Sequence, residues 1–84
     1  MKSIKIRYYA SLREMAGRVE ETRQTRAQTV AELYGELKGH YGFQLEASAL
    51  GAAVNDEFVD WQTRLFDGDL VVFIPPVAGG RENV

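Results

Sequence analysis

The chain has 84 residues, a formal net charge of −2, 45% hydrophobic and 26% charged residues, and no cysteine. That size bounds it to one domain with a single modest core and scant room for a deep substrate cavity. The absence of thiols excludes a disulfide framework, a thiolate metal site, a cysteine nucleophile and a cysteine persulfide carrier.

Residues 3–9 alternate, with Ile4, Ile6 and Tyr8 pointing one way and Ser3, Lys5, Arg7 and Tyr9 the other, as in a half-buried strand. Ser11 to Gly17 reads as a short helical turn with Leu12, Met15 and Ala16 inward and Gly17 as its stop. Residues 19–25 are polar and only weakly strand-like, which suits an edge. Thr29 followed by Glu32 is a capping box, and Val30, Leu33, Tyr34, Leu37 and Tyr41 then form one apolar stripe of a helix ended by Gly39 or Gly42. Gly35 inside this helix costs about 1 kcal/mol against alanine, so close packing is expected there.

The second half returns to strand patterns. Ala52-Ala53-Val54 is a short strand that Asn55-Asp56 turns into Phe58-Val59, and Trp61 is expected in the core. Asp67-Gly68 carries the signal of a type I′ hairpin turn, leading into Leu70-Val71-Val72-Phe73-Ile74. Five apolar residues in a row read as a central strand buried on both faces, stopped by Pro75-Pro76. The expected class is α+β: one main helix packed on one face of a mixed sheet, with a domain over residues 1–76 and a tail over residues 77–84. No run approaches the roughly 20 apolar residues that span a bilayer, and the start of the chain lacks the apolar stretch of a signal peptide. A cytoplasmic protein with no membrane association is expected.

Conventional chemistry finds little support. His40 is the sole histidine, at a helix end where such residues commonly offset the dipole, and no metal site is expected. Glu20-Glu21 and Asp56-Glu57 could in principle run acid–base chemistry, but nothing flanking them suggests a cleft and solvated turns fit better. Asp67-Gly68-Asp69 lacks the ligand pattern of a calcium loop. Residues 1–26 carry a balance of +4 and residues 27–84 one of −6. The basic half reads as solvated outer faces, and an acidic domain without a dense basic stripe is not expected to bind nucleic acid.

The unusual feature is the C-terminal end. Gly79-Gly80 lacks the Lys-Ser/Thr and following helix of a phosphate loop. It follows a central strand, two prolines and Val77-Ala78, so residues 75–80 could extend roughly 20 Å. Proline stiffens the exit and glycine passes a narrow tunnel, a form suited to delivering a carboxylate into another protein's active site; the bland alternative is a frayed terminus.

In this context the chain resembles the small-subunit (MoaD) family of molybdopterin synthase, within the ubiquitin-like β-grasp sulfur carriers. The resemblance covers residues 3–80. It rests on Tyr8-Tyr9-Ala10-Ser11-Leu12-Arg13-Glu14, Ala52-Ala53-Val54-Asn55, the turn over residues 65–69, and above all Val72-Phe73-Ile74-Pro75-Pro76-Val77-Ala78-Gly79-Gly80. It implies a β-grasp fold and a non-catalytic carrier subunit that binds no cofactor of its own. The terminal glycine carboxylate, here that of Gly80, would be adenylated by a ubiquitin-activating-like enzyme with ATP and converted to a thiocarboxylate. The tail would then enter the large subunit and give sulfur to a pterin precursor of the molybdenum cofactor. By the same resemblance Phe58 and Ile74 match partner contacts, plain core being the alternative for both, while strand alternation places Tyr9 outside.

One departure matters. The family chain ends at the second glycine, whereas this one continues with Arg81-Glu82-Asn83-Val84. Three accounts fit: a protease cuts between Gly80 and Arg81, sulfur transfer has been lost in favour of binding, or the tail is used in another way. A sulfur carrier for thiamine or cysteine synthesis, a ubiquitin-like modifier and a binding module remain the alternative functions.

Overall fold

The alternating residues near the start form β1 (Lys2–Tyr8), and the computed structural model describes residues 1–76. It is followed by α1 (Ala10–Ala16), β2 (Glu20–Thr25), α2 (Val30–Tyr41), a 3₁₀ turn (Ala47–Ala49), β3 (Gly51–Val54), β4 (Glu57–Val59) and β5 (Leu70–Ile74). The strands make one sheet in the order β2-β1-β5-β3-β4. The two edges are therefore the polar β2 and the three-residue β4, and the most apolar strand lies in the middle. β1 and β5 run parallel and the other pairs antiparallel.

One face of this sheet carries Ile4, Ile6, Tyr8, Ala52, Val54, Val71 and Phe73, all buried in one cluster with Val30, Leu33, Tyr34 and Leu37 of α2. Hydrophobic burial on this scale, about 1.5–3 kcal/mol for each large side chain, is what holds so small a domain together. Tyr34 lies 5.2 Å from Phe73 between ring centroids, and Trp61 stacks on Phe73 at 5.8 Å, so Trp61 joins the core margin as expected. A mixed sheet wrapped on one long helix in this order is the β-grasp architecture. No helix among the described residues is long and apolar enough to cross a membrane.

The start of α2 is capped much as the sequence indicates. The Thr29 hydroxyl accepts from the Glu32 amide at 3.2 Å, while the Glu32 carboxylate accepts from the Gln28 amide, one residue ahead of the cap, at 2.8 Å. Gly42, not Gly39, ends the helix at φ 74°, a left-handed conformation that glycine takes without penalty.

Four expectations need correction. Met15 is 44% exposed: α1 has only seven residues, and Leu12 alone is buried from it. Gly35 is exposed, and a Cβ there would meet nothing within 4 Å, so no close packing explains it. Asp67-Gly68 is not a type I′ hairpin, since only Gly68 has positive φ (91°) and the turn closes from the Asp69 amide to the Phe66 carbonyl at 3.1 Å. The paired positive φ values fall instead at Asn55 (52°) and Asp56 (73°), which join the two antiparallel strands β3 and β4. The partners of β5 are β1 and β3, both distant in sequence, so no hairpin precedes it.

The fourth correction concerns Glu20-Glu21, which lie in β2 and not in solvated turns. Glu20 faces outward to Lys5 and Arg7, but Glu21 faces inward opposite Ile6. Arg23 and Thr25 share that inner face. The Arg23 guanidinium donates to Glu36 of α2 at 2.7 Å, and the Thr25 hydroxyl donates to the same carboxylate at 2.6 Å. A polar seam joins this edge strand to the helix, which is why its sequence looks so little like a strand.

Candidate functional site

Because β1 and β5 are parallel, with Tyr8 opposite Phe73, both leave the sheet at the same end. The chain after β1 (Tyr9, Ala10, Ser11) and the chain ending β5 (Ile74, Pro75, Pro76) thus run out side by side. Together with Glu14 of α1 they line a groove of about 710 Å³ at the point where the C-terminal segment leaves the domain. Pro75 and Pro76 have no amide to donate, so the ladder stops at the pairing of Ile74 with Gly51.

The wall on the β1 side is conformationally demanding. Ala10 has φ 51°, a left-handed conformation that costs a non-glycine residue roughly 1–2 kcal/mol. Tyr9 caps α1 without any side-chain bond, and its carbonyl accepts from the Leu12 and Arg13 amides at 3.1 and 3.3 Å. Neither Ala10, Ser11 nor Glu14 was singled out as a site residue from sequence. Only the parallel pairing brings them to the foot of the tail.

The outer face of the sheet adjoins this groove. Cross-strand registers align Glu20, Arg7, Val72, Ala53 and Phe58 in one row from edge to edge. The β1–β2 side is charged, with Glu20 reaching Arg7 at 3.1 Å and Lys5 at 3.7 Å. The β3–β4–β5 side is apolar, ending in Phe58, which is 80% exposed. Val72 and Ala53 are largely covered by their neighbours yet stand outside the core cluster. Exposed apolar surface beside a polar rim is the usual mark of a docking face.

The structure separates the three expected contact residues. Tyr9, 44% exposed, and the half-buried Ile74 both line the groove. Phe58 lies on the far edge strand, clear of the core. Pro75 and Pro76 also line the groove, whereas Val77, Ala78, Gly79, Gly80 and Arg81 lie outside the described residues.

Behind the groove sits a group that sequence reasoning missed. Glu21, its side chain only 9% exposed, accepts hydrogen bonds from the Tyr8 hydroxyl and from the Tyr41 hydroxyl at 2.7 Å, with Arg18 at 3.5 Å. Burial alone would push this carboxyl up, but the two hydroxyls and the nearby Arg18 and Arg23 charges outweigh it and hold the group below the usual carboxylate range. Burial, then the Glu21 charge, pushes the Tyr8 phenol far above its ordinary value, so it stays a donor. A carboxylate on the inward parity of an edge strand, within reach of two tyrosines, is the signal that could have found it. His40 is exposed with its ring edge-on to Tyr41 at 4.6 Å, and among the described residues no three His, Asp or Glu side chains gather as a metal site.

The arrangement is thus a scaffold with an exposed apolar face beside a groove lined by Ile74, Pro75 and Pro76. The ThiS family model matches residues 6–80, nearly the whole chain, and its match ends at Gly80. The chain belongs to the ThiS family. Among curated relatives, the molybdopterin synthase sulfur carrier subunit of Escherichia coli strain K12 is 35% identical over 80 residues, covering 92% of this chain and 99% of that one. Among solved structures, a Pyrococcus furiosus protein assigned as subunit 1 of the molybdopterin converting factor superposes with TM-score 0.76 at 30% identity, over 92% of this chain and 100% of that one. The complex of subunits 1 and 2 of the Helicobacter pylori 26695 molybdopterin-converting factor holds a similar fold, with TM-score 0.66 at 24% identity over 89% of this chain and 95% of that one. The fold is the one expected from sequence, a ubiquitin-like β-grasp, and it is shared with these solved structures.

Proposed function

We propose that this protein is the sulfur-carrier subunit of a molybdopterin synthase. The observation that carries the reading is the 35% identity to a named sulfur carrier over 80 residues, on a chain whose central strand is followed directly by Pro75-Pro76.

The chemistry follows from the tail. The Gly80 carboxylate is a poor electrophile. An adenylating enzyme of the ubiquitin-activating kind would attach AMP from ATP and release pyrophosphate, making the carbonyl carbon attackable. A sulfur donor then displaces AMP, leaving a thiocarboxylate on the backbone itself, which needs no cysteine. The tail would enter the large subunit with Gly79 as its slim approach, and the sulfur would pass to the pterin precursor. The H. pylori complex of subunits 1 and 2 supports a large-subunit partner for this chain. We assign Tyr9, Ile74 and Phe58 as the residues that would contact it, on their exposure and on the resemblance alone.

This scheme requires removal of residues 81–84, by a protease cutting between Gly80 and Arg81. The test is the intact mass of the protein isolated from its native cells. A species ending at Gly80 that carries one oxygen-to-sulfur exchange is expected. A uniform population ending at Val84, together with a truncated 1–80 chain that consumes no ATP with the cognate adenylating enzyme, would sink the proposal. Co-purification with a thiazole- or cysteine-forming enzyme in place of a pterin-binding subunit would move the same carrier chemistry to another pathway.

A further inference from the structure

Glu21 is an expensive residue for its position. A carboxylate with 9% side-chain exposure on an edge strand needs its charge satisfied, where an apolar side chain would simply join the core. Docking of β2 onto α2 does not require it, because Arg23 and Thr25 already bind Glu36 toward the other end of the strand. What Glu21 adds is a junction of three elements. It takes the hydroxyl of Tyr8 at the end of β1 and that of Tyr41 at the end of α2, both on one carboxylate oxygen.

The end of β1 is where the groove wall begins. Tyr8 is fully buried, its amide bonded to the Val19 carbonyl at 2.8 Å and its ring edge-on to Tyr41 and Phe43. The next residue, Tyr9, faces the groove, and the one after it, Ala10, holds a left-handed φ of 51°. A non-glycine residue keeps such a conformation only when its surroundings over-determine it. Ala10 has a methyl group alone to do so, and Tyr9 makes no side-chain cap bond. The α1 amides bonded to the Tyr9 carbonyl and the buried Leu12 hold the turn from one side, and the buried Tyr8 before it holds it from the other.

We propose that Glu21 is a positioning residue that, through the Tyr8 and Tyr41 hydroxyls, fixes the end of β1 and thereby the shape of the Tyr9–Ser11 wall of the tail groove. This rests on the reading that the wall meets the carrier's partner. It places a requirement for partner recognition on the face of the sheet opposite the one that docks. Loss of the clamp frees the strained turn at Ala10 while the rest of the core, held by the Leu33, Leu37 and Phe73 packing, stays folded.

The Leu12 and Arg13 amides, both bonded to the Tyr9 carbonyl, are built-in reporters of this turn. Amide hydrogen exchange is measured by NMR on the full chain, wild type and the variants E21Q and Y41F, with E36Q as a control that breaks the same seam away from the groove. Compared at equal global stability, Leu12 and Arg13 are expected to exchange roughly tenfold faster in E21Q and Y41F and unchanged in E36Q. Acceleration spread evenly over the core, or equally present in E36Q, overturns the proposal. Should E21Q fail to fold, Y41F alone decides, because it removes a single hydroxyl from a half-buried ring. Affinity for the large subunit is read in parallel and is expected to fall with the exchange protection. If the wild-type chain does not bind that subunit, the functional reading fails, and the exchange data still judge the clamp.

Discussion

Replacing Phe58 by alanine separates a docking residue from a core residue. The side chain is 80% exposed at the edge of the outer sheet face, so little of its hydrophobic stabilisation is used in the free protein. Burying a Phe side chain fully contributes about 1.5–3 kcal/mol. Four-fifths of that, roughly 1.2–2.4 kcal/mol, remains for a partner that covers it, which corresponds to about 8- to 60-fold in Kd. F58A should therefore leave thermal stability within about 0.5 kcal/mol of wild type. Binding of the large subunit, followed by calorimetry, should weaken by about 8- to 60-fold. The contrast is Phe73, fully buried in the same sheet, whose truncation should cost about 3–5 kcal/mol of stability. An unchanged Kd for F58A, or a loss of stability on the Phe73 scale, would refute the assignment of the outer apolar row as the docking face.

Acid should destabilise this domain through its polar seam. Glu21 and Glu36 both sit below the ordinary carboxylate range in the folded state, so the native protein binds fewer protons than the unfolded chain, and stability present above that range is lost as pH falls through their folded values. Urea midpoints should drop in that acid window, and the E21Q/E36Q double variant should flatten the slope; an unchanged slope would remove these two groups as its cause. Gly35→Ala should raise Tm by about 4–8 °C, since a Cβ meets nothing within 4 Å and a helical glycine costs about 1 kcal/mol; a lower Tm would mean that the helix face is not free. Asn55→Ala should cost about 2–3 kcal/mol in denaturant unfolding, because it loses the bonds to Asp69 and to the Leu70 amide (2.9 and 3.0 Å) and replaces an asparagine, which tolerates the left-handed φ of 52°, by an alanine that does so less readily. Asn55→Gly, which keeps the conformation, should cost about half as much.

Local patterns carried much of the fold. The apolar stripe of α2, the Thr29–Glu32 cap, the alternation of β1 and the apolar run of β5 each have one physical solution within a few residues of chain, and each appears where the sequence places it. The turn assignments were harder. Asp67-Gly68 and Asn55-Asp56 are similar signals, and which one closes a hairpin depends on whether the strands beside it pair with each other. That is settled by β5 choosing β1 and β3, a choice no local propensity contains. Gly35 misled for a related reason: a helical glycine signals close approach only if something approaches, and within this domain nothing does.

By itself the sequence determined the class of fold, the buried stripe, and the proline–glycine pattern of the C-terminal stretch, because each is read along a single stretch of chain. The groove at the tail's exit, the charged and apolar halves of the outer face, and the Tyr8–Glu21–Tyr41 clamp were decided only by tertiary structure. Each joins residues from strands that lie far apart in sequence. Parallel pairing of the first strand with the last puts Tyr9 beside Pro75, and the inward parity of an edge strand turns an apparently solvated glutamate into a buried acceptor. Such contacts depend on register and strand order, which are properties of the whole sheet and not of any segment within it.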